Sequence, residues 1–228
     1  MIERILPAGV VAVTSSADVD DVDLFPAEAA TLGRAVEKRR REFKTVRACT
    51  RVAYERLGLP AAPVVPGAHG EPSWSTGIVG SITHCDGYRA CALARATDFL
   101  SIGIDAEPNA PLPDGLLEDI ALPEERPALR ELARQAPGIH WDRLLFSAKE
   151  SVYKAWFPLA KRWLGFEDAI VTFDREAGAF AARLLVDGPI VSGRPLSALS
   201  GRWLTGNGLV VSAIALAPSP TQPWAPCS

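Results

Sequence analysis

No stretch of the 228-residue sequence approaches the ~18 consecutive apolar residues that a membrane-spanning helix requires. The four cysteines (Cys49, Cys85, Cys91, Cys227) contain no CxxC pair and form no dense framework, which argues against a zinc site or a secreted disulfide scaffold. Positive charge is not in excess either. The net charge of -3 argues against a general affinity for nucleic acid, and no basic run with interleaved aromatics supports RNA or DNA binding. P-loop, GxGxxG and nucleophile-elbow motifs are all missing, so the common nucleoside-triphosphate and dinucleotide folds lose their usual support. The 18 glycines and 19 prolines are spread along the chain, unlike a collagen or a low-complexity segment. Leu6–Val13 has the look of a signal-peptide core. However, Glu3 stands in the basic region such a peptide needs, Pro7 interrupts the apolar run, and Asp18, Asp20, Asp21 and Asp23 follow. The segment reads as a first strand and the protein as cytoplasmic.

What is present is a polarised charge distribution. Lys38–Arg47 holds six basic residues against the single acid Glu42, whereas Asp105–Glu125 holds seven acids and no Lys or Arg. By itself such a pattern usually means two solvated faces. A fold that brings the two together would have an anion-binding side facing a carboxylate-rich side.

The secondary structure alternates. Val10–Thr14 predicts a strand, and Pro26 opens a helix that runs to about Leu57, where Gly58 and Pro60 stop it. Val46, Cys49, Ala53 and Leu57 give that helix one buried stripe. Three strands follow at Gly77–Cys85, Tyr88–Ala96 and Phe99–Glu107, the first two joined by an Asp86-Gly87 turn into a hairpin. Residues 110–138 predict one loose helix opening near Pro123. His140–Leu159 is the most regular helix, with Trp141, Leu145, Ala148, Val152, Ala155 and Leu159 on its core face. Strands at Ala169–Phe173, Ala179–Leu185 and Gly208–Leu216 complete the chain, and a proline-rich tail over 217–228 is expected to be disordered. Trp74-Ser-Thr-Gly77 before one buried strand is echoed by Trp203-Leu-Thr-Gly206 before another. The echo marks either two similar lobes about a pseudo-twofold axis or a coincidence between two apolar strands.

Two constellations carry chemistry. Asp105 and Glu107 end an apolar strand (Leu100, Ile102, Ile104) and share one face by alternation. Two carboxylates so placed repel unless a cation lies between them, and magnesium takes such oxygen ligands, completing its shell with water and phosphate. A solvated strand end is the alternative, and the apolar approach to the acids favours the cation. Glu150 and Lys154, four apart, share a helix face. Spacing alone gives an ordinary pair worth about 0.2–0.5 kcal/mol. Flanking Phe146, Tyr153 and Phe157 on that side suggest instead a partly dry carboxylate and ammonium, suited to act as base and acid in a group transfer. Thr83-His84 ends another apolar run and would suit a phosphate contact, or simply a hydrogen-bonded structural histidine; His69 and His140 carry no pattern of their own.

Taken together, Gly103-Ile-Asp105-Ala-Glu107 and Trp141-Asp-Arg-Leu-Leu-Phe146-Ser-Ala-Lys149-Glu150-Ser-Val-Tyr-Lys154-Ala-Trp156-Phe157 resemble the two signature motifs of the 4′-phosphopantetheinyl transferases. The likeness is to the larger, pseudo-dimeric Sfp/EntD-like group and most of all to its actinobacterial members. Lys38-Arg-Arg-Arg-Glu-Phe43, Gly70-Glu-Pro72 with Trp74, Gly80-Ser-Ile-Thr-His84-Cys and Lys161-Arg-Trp163-Leu-Gly-Phe-Glu-Asp168 extend it over about residues 2–216. The resemblance implies an α/β (α+β) fold of two similar lobes related by a pseudo-twofold axis, residues 1–104 and 105–216, with the active site in the cleft between them. It implies transfer of phosphopantetheine from coenzyme A, as substrate, to a serine of an acyl or peptidyl carrier protein of fatty-acid, polyketide, nonribosomal-peptide or siderophore synthesis, releasing 3′,5′-ADP. Magnesium is the expected metal, with manganese the alternative, and the expected state is a monomer.

By position, Asp105, Glu107 and Glu150 match the family's metal-binding acids. Glu150 also matches the residue that deprotonates the serine, directly or through a metal-bound water, Lys154 the one that protonates or stabilises the departing phosphate, and Asp105 completes the catalytic set. Arg39, Arg47, Thr83 and His84 match phosphate contacts, and Tyr153 and Trp163 lie near positions for the pantetheine arm. Lys149 belongs to the motif without an assigned role. In the loop Pro66-Gly-Ala-His69-Gly70, where relatives carry lysines, only His69 can supply charge. A coenzyme A-binding module without activity and a magnesium-dependent phosphodiesterase are the competing readings.

Overall fold

The computed structural model describes residues 1–218. The tail expected over 217–228 therefore lies outside the described residues from 219 onward. A 3₁₀ turn at Ile2–Arg4 leads into strand β1 (Val11–Ser15). The single helix expected from Pro26 is in fact two, α1 (Pro26–Leu32) and α2 (Glu37–Arg56). Gly33, at φ 44°, takes a left-handed conformation that side chains disfavour, and it ends α1. Arg40 fastens the break by donating to Ala35 O and Gly33 O. The α2 stripe is as the spacing predicts, with Val46, Cys49 and Ala53 buried against β1 and the hairpin that follows. That hairpin, β2 (Ile78–Cys85) and β3 (Tyr88–Arg95), turns at Asp86-Gly87 with Gly87 at φ 70°. The first sheet is antiparallel in the order β1-β3-β2.

Strand β4 (Ser101–Pro108) opens the second half. The one loose helix expected over 110–138 is again two, α3 (Leu116–Ile120) and α4 (Glu125–Gln135), with Pro123 in the link between them. Next come α5 (Trp141–Ala160), β5 (Ala169–Asp174), β6 (Ala179–Leu184) and the two-residue strands β7 (Ile190–Val191) and β8 (Arg194–Pro195). Strands β9 (Ala198–Gly206) and β10 (Leu209–Leu216) close the fold. The second sheet is antiparallel in the order β4-β10-β9-β6-β5. Strand β9 was not expected from sequence, and Trp203, expected ahead of a strand, sits within it. The turn is Asn207-Gly208, both at positive φ, whereas Trp74 lies in the loop before β2, so the two ends of the tryptophan echo occupy different structural positions.

The core explains the layering. α5 lays Leu144, Leu145, Ala148, Val152 and Ala155 on the second sheet. Trp141 meets Trp203 edge to face at 5.2 Å and Phe173 at 5.7 Å. A second cluster, including Ile2, Ala90, Ala92, Ile104 and Val211, is shared by strands of both sheets. Edge strands β2 and β4 adjoin through hydroxyls: Ile104 N donates to Ser81 Oγ (3.1 Å) and Ala106 N to Thr83 Oγ1 (3.2 Å). No helix among the described residues is long and apolar enough to cross a membrane.

Candidate active site

The β2–β4 junction places Asp105 where three elements meet. Thr83 on β2 and Lys154 on α5 both donate to its Oδ1, at 3.2 and 2.7 Å, and Lys154 Nζ also reaches Ile104 O at 3.2 Å. Asp105 is 4% exposed, and its Oδ2 is buried without a partner. An anionic oxygen in that state is costly unless a cation or donor arrives. Glu107, two residues along the strand, accepts from Arg143 Nη1 at 3.1 Å. Burial raises its carboxyl above the usual range, Asp105 adds to this, and Arg143 opposes it.

Glu150 is likewise raised by burial; Lys154 works against the shift and Asp105 with it. Glu150, Tyr153, Lys154, Phe157, His69 and Trp74 line one pocket of about 500 Å³. A larger cavity of about 630 Å³ lies between the N-terminal segment and the β7–β8 hairpin. Its lining carries no carboxylate and no histidine, so the chemistry belongs to the smaller pocket. The aromatics expected near a pantetheine arm form a row: Trp163 packs on Tyr153 (4.8 Å), Tyr153 on Phe157 (5.7 Å) and Phe157 on the His69 ring (5.3 Å). Trp163, at the outer end, is 72% exposed.

The basic residues divide. Arg39 donates to His84 Nε2 at 2.6 Å, while His84 Nδ1 faces Glu42 at 3.8 Å. Burial lowers the His84 pKa and Arg39 lowers it further, while Glu42 opposes the shift. Arg47 turns inward instead. It is 4% exposed, lies 3.5 Å from Glu28, stacks on Phe43 at 3.9 Å, and burial pushes its pKa down to about 10. It faces Glu28 through Nε, so what it adds to the site as it stands is charge from below the surface. Thr83 is also committed, to Asp105 and the Ala106 amide.

Among the described residues, no three His, Cys, Asp or Glu side chains converge on a point that would hold a metal ion. The feature that fits a cation is the unpartnered Asp105 Oδ2, with Glu107 on the same strand and Glu150 within reach of its charge.

Sequence reasoning missed two cations and one role. Arg143, seven residues before Glu150 on α5, is the counter-ion of Glu107 and also binds Ala110 O and Pro111 O. Its place on the face of Glu150, two helical turns away, was the available signal. Arg89, buried on β3, meets Asp18 at 2.9 Å and Glu42 at 3.7 Å. Lys149 points away from the pocket into a buried pair with Glu125 at 2.8 Å.

A buried acid paired with a half-buried lysine, two further carboxyls raised by burial and a neighbouring basic rim suit group transfer on an anionic, phosphate-bearing substrate. Comparison with known proteins gives the family. Residues 27–94 match the model of the 4′-phosphopantetheinyl transferase N-terminal domain, and residues 101–196 that of the 4′-phosphopantetheinyl transferase superfamily. The chain is 56% identical over 222 residues to the 4′-phosphopantetheinyl transferase Svp of Streptomyces mobaraensis, covering 95% of this chain and 89% of that protein. It is 52% identical to PptT of Mycobacterium tuberculosis over 197 residues (84% and 86% of the two chains). Identity to Npt of Nocardia iowensis is 48% over 225 residues (95% and 100%). The chain belongs to the 4′-phosphopantetheinyl transferase superfamily.

Proposed function

We propose that this protein transfers the 4′-phosphopantetheine arm of coenzyme A to a serine hydroxyl of acyl or peptidyl carrier proteins, with release of 3′,5′-ADP. The observation that carries the reading is the contact of Lys154 with Asp105 Oδ1, beside the unpartnered Oδ2 and on the same helix face as Glu150. Glu150, kept weakly acidic by burial, accepts the serine proton as the hydroxyl attacks the phosphorus that bears the pantetheine arm. The bond from that phosphorus to the bridging oxygen breaks, and Lys154 donates to the departing 3′,5′-ADP phosphate. Arg39 and the His84 ring it contacts receive the coenzyme A phosphates, with Arg47 adding positive charge from beneath. The Tyr153–Phe157 row and His69 flank the arm. Asp105, with Glu107 and Glu150, would hold magnesium, or manganese by the same oxygen donors. When bound, the metal supplies charge neutralisation at the diphosphate.

The same reading places the site between two lobes about a pseudo-twofold axis. Its support is two antiparallel sheets, each packed by a 20-residue helix, and two family matches that part between residues 94 and 101. That division gives β4 whole to the second lobe, whereas a boundary after residue 104 runs through it.

Intact mass spectrometry of an apo carrier protein incubated with coenzyme A and magnesium tests the activity. A gain of about 340 Da, the increment for one phosphopantetheinyl group, is expected with metal and not without it. No gain across fatty-acid, polyketide and peptide carriers would overturn it. If Glu150 is the base, kcat falls as pH drops through a pKa above the ordinary carboxylate range, because only the deprotonated form accepts the proton. Glu150→Gln should lose that acid limb along with about 10²–10⁴-fold of the rate; an unchanged profile would remove Glu150 from the role.

A further inference from the structure

The contact between Lys154 and Asp105 joins a helix to a strand, so it depends on how closely, and in what axial register, α5 lies on β4 and β10. Gly103 sets the closeness: a Cβ at that position would collide with Ser151 O and sit 2.8 Å from Ala155 N. Ser101, at the start of the same strand, donates to Ala155 O at 2.6 Å.

Register is set from the neighbouring strand. Ser212 on β10 is the direct partner of Asp105 across the sheet. Its hydroxyl donates to Ser147 O at 2.9 Å, and the Ser147 and Ser151 hydroxyls lie 2.9 and 2.6 Å from Ser212 Oγ. Ser151 Oγ is also 3.2 Å from Ser212 O. All three serines are fully buried. Alanine would fill these positions with no polar group to satisfy, and each buried hydroxyl is costly unless bonded. The network satisfies all three at one axial position of α5 only. A slip of one residue displaces the helix by about 1.5 Å and turns it by about 100°. Ser151 lies between Glu150 and Lys154 in sequence, so the register it locks is theirs.

We propose that Ser212, with Ser147 and Ser151, is a positioning cluster for the transfer reaction: it fixes the height of α5 over the β4–β10 pair so that Lys154 Nζ meets Asp105 Oδ1. The proposal rests on the transferase reading above and acts through Lys154, without touching substrate.

Ser212→Ala is expected to lower kcat with apo carrier protein by on the order of tenfold, the scale of a sub-ångström misplacement, and to leave the coenzyme A KM within about twofold. In a Lys154→Ala background the same change should cost almost nothing, because residues acting through one contact are not additive. Independently of turnover, Lys154 should acylate faster with an amine-reactive reagent in Ser212→Ala, with Lys161 unchanged, as read by peptide mass spectrometry. Ser147→Ala, which leaves the Ser151–Ser212 bond in place, should shift each readout less in the same direction, and it serves if Ser212→Ala does not fold. Unaltered kcat and Lys154 labelling in both variants would overturn the proposal. So would a full tenfold loss persisting without Lys154, or a change confined to KM. Wild-type protein that modifies no carrier would instead overturn the transferase reading, while the labelling arm would still test whether the serines hold Lys154.

Discussion

Asp105→Ala is expected to reduce turnover by about 10³-fold, the range of losing one charge-positioning group at a reacting phosphate, while the protein stays folded. Asp105 Oδ1 is the acceptor that holds Lys154 2.7 Å away, so its loss leaves the ammonium with Ile104 O alone. Its Oδ2 is the one buried carboxylate oxygen without a partner among the described residues, and with it goes the best oxygen for a cation. The fold loses less than such burial usually implies. Asp105 raises the carboxyls of both Glu107 and Glu150, so removing it relieves two repulsions and lets both acids titrate closer to the ordinary carboxylate range. Asp105→Asn separates the two roles, because an amide oxygen still accepts from Lys154 but supplies no charge. Calorimetric titration with manganese or magnesium, beside steady-state kinetics, should show binding lost in both variants and Lys154 displaced only in the alanine. Wild-type turnover in Asp105→Ala would sink the assignment of the metal and of Lys154 together.

The parts of this arrangement that were legible in sequence are those written in local spacing. The Asp86-Gly87 turn fixes the β2–β3 register, the α5 stripe reaches the core from Trp141 to Ala155 although Leu159 stays outside it, and β4 is buried up to its two acids. Other features failed for identifiable reasons. The break at Gly33 was hidden because glycine both interrupts helices and tolerates them, and only its positive φ decides. Strand β9 carries Gly201, against which the Phe180 ring packs, and Arg202, so its alternation reads poorly although Leu199 and Trp203 point inward. Residues distant in sequence were the harder case. Arg143 meets Glu107 across 36 positions, and its place on the Glu150 face of α5 does not by itself name that partner. Arg47 shows how burial can be hidden in a run of like charges. A cation in a basic run suggests a ligand, but Glu28, buried on α1 and also bonded to Arg51 at 2.9 Å and to the Val64 amide at 3.0 Å, draws it inside.

Lys149, five residues before Lys154, should behave differently from it. Its ammonium uses all three donors, on Ile120 O (2.9 Å), Glu125 Oε2 (2.8 Å) and Phe166 O (2.7 Å), and it is 4% exposed. Burial lowers its pKa, and Glu125 opposes the shift. Glu125 in turn accepts from the amides of Leu122 (2.8 Å) and Val171 (2.6 Å), so one ion pair ties α3, α4 and the start of β5 to the back of α5. Lys149→Ala leaves Glu125 charged and buried without a counter-ion, a change that typically costs about 3–5 kcal/mol. For a chain of this size the expected fall in Tm is on the order of 10 °C. Well below that transition kcat should remain near wild type, because Nζ lies outside the pocket. Lys154→Ala should differ in kinetics: it also takes the counter-ion from buried Asp105 and so lowers Tm, but its turnover is lost even at temperatures where the protein is fully folded. A Lys149→Ala protein with unaltered Tm, or one whose kcat collapses at temperatures where circular dichroism shows it folded, would refute the structural role. Pairing Lys149→Met with Glu125→Leu removes both charges but strips the Leu122 and Val171 amides of their acceptor. Recovery should therefore be partial, and the shortfall measures how much of the cluster's stabilisation comes from holding backbone rather than from attraction between the two charges.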